Sequence, residues 1–121
     1  MNKHLVFVYG TLRRGGSNHH MLERSEFLGP HETEPRYTMC RLGQFPAVVA
    51  RGETAIIGEV YRIENDVLDL LDELECYPHV FSRQVINTPP GEAWMYVYNR
   101  LVGTEHVVGH GDWLRFLDDG E

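Results

Sequence analysis

Positive charge is in short supply in this sequence. Its 121 residues carry 11 Lys+Arg against 18 Asp+Glu, a formal net charge of −7, and the longest basic run is the pair Arg13-Arg14. A protein that tracks phosphates needs a clustered cationic surface, so no nucleic-acid partner is expected. Cysteine is scarce as well. Cys40 and Cys76 form no C-x-x-C pair and are too few for a disulfide framework, and both read as buried thiols in a reducing cytoplasm. Long hydrophobic runs are also missing. The apolar stretch Leu5 to Tyr9 is far shorter than the ~18 residues of a membrane span, and no small-residue cleavage site accompanies it. The expectation is a cytoplasmic protein with no membrane partner.

What is present is an ordinary globular composition, 42% hydrophobic and 24% charged, in a chain that fits a single domain over residues 1–121. A domain of this size removes roughly two-thirds of its unfolded surface from water and needs neither metal nor disulfide to fold. Function is therefore expected in a pocket rather than on a charged face.

Leu5, Phe7 and Tyr9 alternate with Val6 and Val8, which makes both faces apolar and reads as a buried central strand. It ends at Gly10-Thr11-Leu12 and breaks into the turn-rich Arg13 to Asn18. Ser17 or Asn18 caps a short helix over His19 to Arg24. Arg36 to Leu42 reads as a strand and Gln44 to Ala47 as a turn. Thr54 to Ile63 reads as one long strand in which Gly58 marks a bend or a close backbone approach. Asn65 or Asp66 caps a helix that runs to about Cys76 and is stopped by Pro78. Phe81 to Thr88 and Ala93 to Asn99 form a hairpin around Pro89-Pro90-Gly91-Glu92, and Glu105 to Val108 reads as a further short strand. Asp112 caps a last amphipathic turn carrying Trp113, Leu114, Phe116 and Leu117. This segregation indicates α+β. About six strands and two to three short helices suit a small mixed β-barrel, since closure removes exposed edges.

One carboxylate stands out. On the helix from Asp66 to Cys76, Val67, Leu68, Leu70, Leu71 and Leu74 form one apolar stripe. Asp69, Asp72 and Glu73 fall roughly 130° or more from its centre, on the side expected to face water, whereas Glu75 falls only about 70° away. Burial there raises a carboxyl pKa toward neutrality, as a general acid or base requires. The wheel leaves open that Glu75, in the last turn, frays into solvent or pairs with Arg83. A second candidate is Tyr9-Gly10-Thr11-Leu12: a buried strand that ends in glycine leaves successive N–H groups without ladder partners, able to converge on an anion. A tight turn reads the same four residues equally well.

Metal signals are thin. His19-His20 with Glu23 includes an i,i+4 spacing but lacks a third ligand. His106, His110 and Asp112 are similar, and Gly109-x-Gly111 lacks the strand–helix context of a dinucleotide site. No metal and no cofactor are expected.

Tyr9-Gly10-Thr11-Leu12 after the first strand, Gly58-Glu59-Val60-Tyr61 in a middle strand, Leu71-Asp72-x-Leu74-Glu75-x-Tyr77-Pro78 followed by Arg83, Trp94-Met95-Tyr96-Val97-Tyr98, and the late Gly111-Asp112-Trp113 occur in series over nearly the whole chain. Together they resemble the γ-glutamylcyclotransferase-like family, most closely its bacterial avirulence-induced-gene-like branch. The resemblance implies a pocket for a γ-glutamyl substrate, with the loop Tyr9, Gly10, Thr11 and Leu12 offering backbone amides and Glu75 as acid/base. The implied reaction releases 5-oxoproline and an amine. Arg83 is expected to bind a substrate carboxylate or to neutralise Glu75, and the sequence leaves both readings open. Two positions depart from the family pattern: Phe81 stands where tyrosine is common, and Cys76, read as a small buried thiol, stands where glycine is frequent. Tyr96 and Tyr98 share a strand face, with packing as the default reading. A non-catalytic pocket protein, binding a small acidic metabolite or a protein partner on the same scaffold, is the alternative to an enzyme.

Overall fold

The computed structural model describes residues 3–100 and 106–119. Strand β1 (Lys3–Val8) is the middle of a five-stranded sheet ordered β2-β5-β1-β7-β6, with β2 at Glu26–Glu32, β5 at Ile57–Glu64, β6 at Phe81–Thr88 and β7 at Gly91–Tyr98. It pairs antiparallel to β5, from Lys3 opposite Glu64 to Val8 opposite Glu59, and parallel to β7, with Val6 opposite Trp94. A strand with neighbours on both edges and layers on both faces has no side open to water, which is why its apolar residues alternate to two sides. Val6 and Val8 enter one core with Tyr61, Ile63, Leu68, Leu71, Phe81 and Tyr96. Phe7 and Tyr9 enter the other with Met39, Val48, Ile56, Met95 and Trp113.

Helix α1 (Asn65–Leu74) covers the first core through Leu68 and Leu71. The second is covered by a separate hairpin, β3 (Tyr37–Leu42) with β4 (Phe45–Thr54), and by α2 (Trp113–Asp118). The architecture is α+β, as expected, but it has seven strands and no closed barrel among the described residues: β2 and β6 remain sheet edges, and no ladder joins the hairpin to the sheet. Covering both faces with layers already buries the apolar sides, so closure is not needed to complete the core.

Local differences have local causes. The expected turn at Gln44 to Ala47 lies one step earlier, at Gly43-Gln44, and Phe45 opens β4. Pro46 is accommodated there because a two-stranded hairpin has edges on which its missing N–H costs nothing. Thr54 to Ile63 is two strands rather than one. The chain leaves its ladder at Ala55-Ile56, where the Ile56 N–H donates to Thr33 Oγ1 (2.9 Å) and the Ile57 N–H to the Gly111 carbonyl (2.9 Å). Gly58 marks a close approach: a Cβ there would fall on the Val8 carbonyl oxygen and the Phe7 ring. The segment at His19 is a four-residue 3₁₀ turn, His19–Leu22, without a side-chain cap. Neither Asn65 nor Asp66 is the N-cap of α1; Glu64 holds that position, and its side chain makes no capping bond. Val107 forms an isolated bridge with Cys40, while Glu105, the start of the expected short strand, lies outside the described residues.

Candidate functional site

Glu75 is placed by the way α1 ends. The Tyr77 N–H returns to the Asp72 carbonyl (2.8 Å) and the Cys76 N–H to that of Glu73 (3.1 Å), the paired bonds of a Schellman motif with Glu75 as C-cap. Cys76 occupies the left-handed position at φ 52°, which explains why glycine suits this site. It is exposed rather than buried as expected, because the left-handed turn lifts it off the helix face. Glu75 keeps near-helical angles, φ −87° and ψ 1°, and so continues the apolar stripe inward, as the wheel indicates.

It enters a cavity of about 330 Å³, within the usual range for small-molecule sites. The opposite wall is the loop after β1. There the Arg13 N–H donates to the Gly10 carbonyl (3.1 Å), the Asn18 N–H to the Thr11 carbonyl (2.8 Å), and Asn18 Nδ2 to Thr11 Oγ1 (2.9 Å). The last bond is why Asn18 caps nothing. These bonds consume the loop's carbonyls, while the N–H groups of Gly10, Thr11 and Leu12 meet no acceptor among the described residues. Tyr9 to Leu12 and Glu75 all line the cavity. A Cβ on Gly10 would come within 2.7 Å of Pro46 Cγ, so glycine is what lets the hairpin close over the loop.

Electrostatics follow from the walls. Phe7, Val8, Leu12, Pro46 and Phe81 line the cavity beside Glu75, and burial pushes its carboxyl from the ordinary 4.5 up to about 7. Burial raises the hydroxyl pKa of both Tyr9 and Tyr96; for Tyr9 the Glu75 charge adds to it, and for Tyr96 the hydrogen bond to Asp72 and that carboxylate's charge add first, with Glu75 a smaller contribution. Tyr9 donates to the Tyr96 carbonyl (2.8 Å) and Tyr96 to Asp72 Oδ1 (2.6 Å).

Two arrangements were not legible in the sequence. Asp72, expected in water, is held by Tyr96 and by Arg83, whose Nε lies 3.2 Å from Asp72 Oδ1 in an ion pair without hydrogen-bond angles. The Arg83 guanidinium is sandwiched between the Tyr77 and Trp94 rings, 4.3 and 4.6 Å from their centroids, and it is not among the residues lining the cavity. It stands behind Tyr96, which does line it. The second arrangement holds the loop. Glu59 Oε1 accepts from the Arg14 N–H and the Tyr61 hydroxyl (both 2.9 Å), while Arg13 reaches Glu59 Oε2 (3.4 Å) and Asp112 Oδ1 (2.8 Å). Arg13 at 12% and Glu59 at 10% side-chain exposure make this a buried charge network. Asp112 also caps α2 by accepting from the Arg115 N–H, as expected. The G-E-x-Y spacing was a signal for it, since a charged residue inside a strand apolar on both faces needs a partner.

Among the described residues no cluster of His, Cys, Asp or Glu has the arrangement to hold a metal, and no helix is long and apolar enough to cross a membrane. Residues 6–115 match the family model described as gamma-glutamyl cyclotransferase, AIG2-like. A Vibrio cholerae protein provisionally named as a gamma-glutamylcyclotransferase is 44% identical over 93% of this chain and 97% of its own. The gamma-glutamylcyclotransferase family protein YtfP of Escherichia coli K12 is 41% identical over 90% of this chain and 95% of its own. The solution structure of E. coli ytfP superposes with a TM-score of 0.74 at 39% identity, covering 97% of this chain and 99% of that one. The crystal structure of PH0828 from Pyrococcus horikoshii reaches 0.84 at 23% identity over 97% of this chain and 95% of that one, and shares the fold. Matched by the family model over nearly its whole length and by relatives above 40% identity, the chain belongs to the AIG2-like gamma-glutamyl cyclotransferase family.

Proposed function

We propose that the protein is a γ-glutamyl cyclotransferase. The α-amine of a γ-glutamyl amide attacks its own γ-carbonyl, a five-membered lactam closes, the amide C–N bond breaks, and 5-oxoproline and an amine leave. Nucleophile and electrophile share one molecule, and well-oriented intramolecular attack corresponds to effective molarities of about 10⁵ M or more. The site has only to hold the folded conformer, stabilise the oxyanion and relay protons from the attacking nitrogen to the leaving one. An α-ammonium with a pKa of roughly 8 is mostly protonated at neutral pH. Glu75 takes that proton and passes it to the departing nitrogen; the second proton, shed by the ring nitrogen as the lactam forms, follows to the released amine, which leaves as its ammonium, so no proton is gained or lost overall. The amides of Gly10, Thr11 and Leu12 bind the substrate carboxylate or the oxyanion, where one donor is worth roughly 3 kcal/mol. Tyr9 shapes the wall between them. Arg83 acts through Asp72 and Tyr96 rather than on substrate. The enzyme works in the cytoplasm and needs no cofactor.

The observation that carries this reading is Glu75, its pKa lifted by burial to about 7, sharing one cavity with the Gly10–Leu12 loop. The test is 5-oxoproline release from a panel of γ-glutamyl compounds. Wild type should form it. Glu75→Gln should lose about a hundredfold or more in rate, the usual contribution of general acid–base catalysis, and Glu73→Gln should change little. If wild type forms none from any compound, the non-catalytic pocket protein replaces the enzyme. Equal loss in both variants would mean the wrong carboxylate.

A further inference from the structure

Among the buried residues that line the cavity, only Tyr9 and Tyr96 have polar side chains. Tyr9 is engaged on both sides: its hydroxyl donates to the Tyr96 carbonyl (2.8 Å) and accepts from the Val48 N–H. Tyr96 differs. Its hydroxyl donates to Asp72 Oδ1 (2.6 Å) and accepts no bond among the described residues, which leaves an oxygen able only to accept. Arg83, itself clamped between the Tyr77 and Trp94 rings, fixes that direction, because its Nε lies 3.2 Å from the same Asp72 oxygen. Asp72 stands three residues before Glu75, a spacing that makes side chains neighbours on a helix, and the Glu75 charge bears on the Tyr96 hydroxyl. A phenol oxygen with its proton turned away therefore stands beside the carboxylate in the cavity wall.

The α-ammonium that gives a proton to Glu75 carries two further N–H groups, and each needs an acceptor once water is excluded. We infer that Tyr96 accepts from one of them and that Asp72 is a positioning residue, holding the Tyr96 proton away so that the phenol oxygen faces the ammonium. A hydroxyl free to turn would point its proton at the ammonium or donate it to Glu75, repelling the one or occupying the other. With its proton on Asp72, Tyr96 instead holds the nitrogen by an N–H that persists after Glu75 has taken the first proton. That bond keeps the nitrogen lone pair aimed at the γ-carbonyl, the orientation that intramolecular attack requires. This inference rests on the cyclotransferase reading and deepens it, adding Tyr96 to the amine side of the site and giving the Arg83–Asp72 pair behind it a task.

The test compares binding of L-glutamate with that of glutarate, the same skeleton without the α-ammonium, by calorimetry. A hydrogen bond to a charged group is worth about tenfold or more in affinity. Tyr96→Phe should therefore lower the preference for L-glutamate over glutarate by about tenfold and leave the glutarate Kd unchanged. Asp72→Ala should do the same. Asp72→Asn, whose carbonyl end is drawn to Arg83 and still takes the Tyr96 proton, should keep the wild-type preference. Should Asp72→Ala fail to fold with the Arg83 charge left unpaired, Asp72→Ala combined with Arg83→Met removes both charges and makes the same comparison. An unchanged preference in Tyr96→Phe, or equal weakening of both ligands by it, overturns the inference. So does Asp72→Asn as impaired as Asp72→Ala, or a wild type that binds L-glutamate no more tightly than glutarate. These outcomes leave the cyclotransferase reading intact. Absence of 5-oxoproline from every γ-glutamyl compound overturns the reading itself, and the inference with it.

Discussion

Glu75 holds its position against an electrostatic cost. Its carboxyl titrates at about 7 in the fold against 4.5 ordinarily, because burial disfavours the ionised form. The native state therefore binds more protons than the unfolded chain between those values, and stability falls as pH rises through that window. The displacement corresponds to roughly 3 kcal/mol at pH 8. Glu75→Gln, isosteric and neutral, should thus be more stable than wild type by up to about 3 kcal/mol at pH 8 and nearly equal to it at pH 4, as urea unfolding at the two pH values would measure. A difference independent of pH would show that the carboxyl is not held as described. Ionised Glu75 is also the form that accepts the substrate proton, so turnover should climb through pH 7. This inward residue was readable from a helical wheel because its placement depends on its own helix. Asp72, three residues earlier, was not, because its partners Tyr96 and Arg83 come from β7 and β6.

The end of α1 sets the site more tightly than the helix itself. The Schellman bonds from Cys76 and Tyr77 stop the helix one residue after Leu74, and the left-handed Cys76 redirects the chain. A non-glycine side chain in that conformation costs roughly 1 kcal/mol or more. Cys76→Gly should therefore raise stability by about 1 kcal/mol in denaturant unfolding, offset in part by the larger entropy of glycine in the unfolded chain. Loss of stability would mean that the exposed thiol contributes more than its backbone strain removes. Periodicity located this helix, the central strand and the β6–β7 hairpin, since their hydrophobic patterns are local. The 3₁₀ turn at His19 and the break at Ala55-Ile56 were hidden because the bonds that decide them reach from Asn18 to Thr11 and from residues 56 and 57 to Thr33 and Gly111.

At the scale of the molecule, the fold is two cores on either side of β1, and layering rather than barrel closure completes it. Composition and element order indicated α+β but could not separate these solutions, because both bury the same strand faces. What ties the layers to the site is the network in which Arg13, in the loop after β1, bridges Glu59 on β5 and Asp112 at the start of α2. These three residues lie far apart in the chain, so the loop that presents Gly10, Thr11 and Leu12 is fixed only when sheet and C-terminal helix are both in place. Removing one member of a buried ion pair leaves its partner's charge uncompensated, typically at a cost of about 3 kcal/mol or more. Arg13→Met and Glu59→Gln should each destabilise to about that extent. The double variant should lose less than their sum by about 1 kcal/mol or more, the coupling expected of residues in one network. A urea-unfolding double-mutant cycle measures this directly. Additivity within about 0.3 kcal/mol would show that Arg13 and Glu59 do not act as a pair, and that the loop is held instead by Asn18 and the Arg14 N–H.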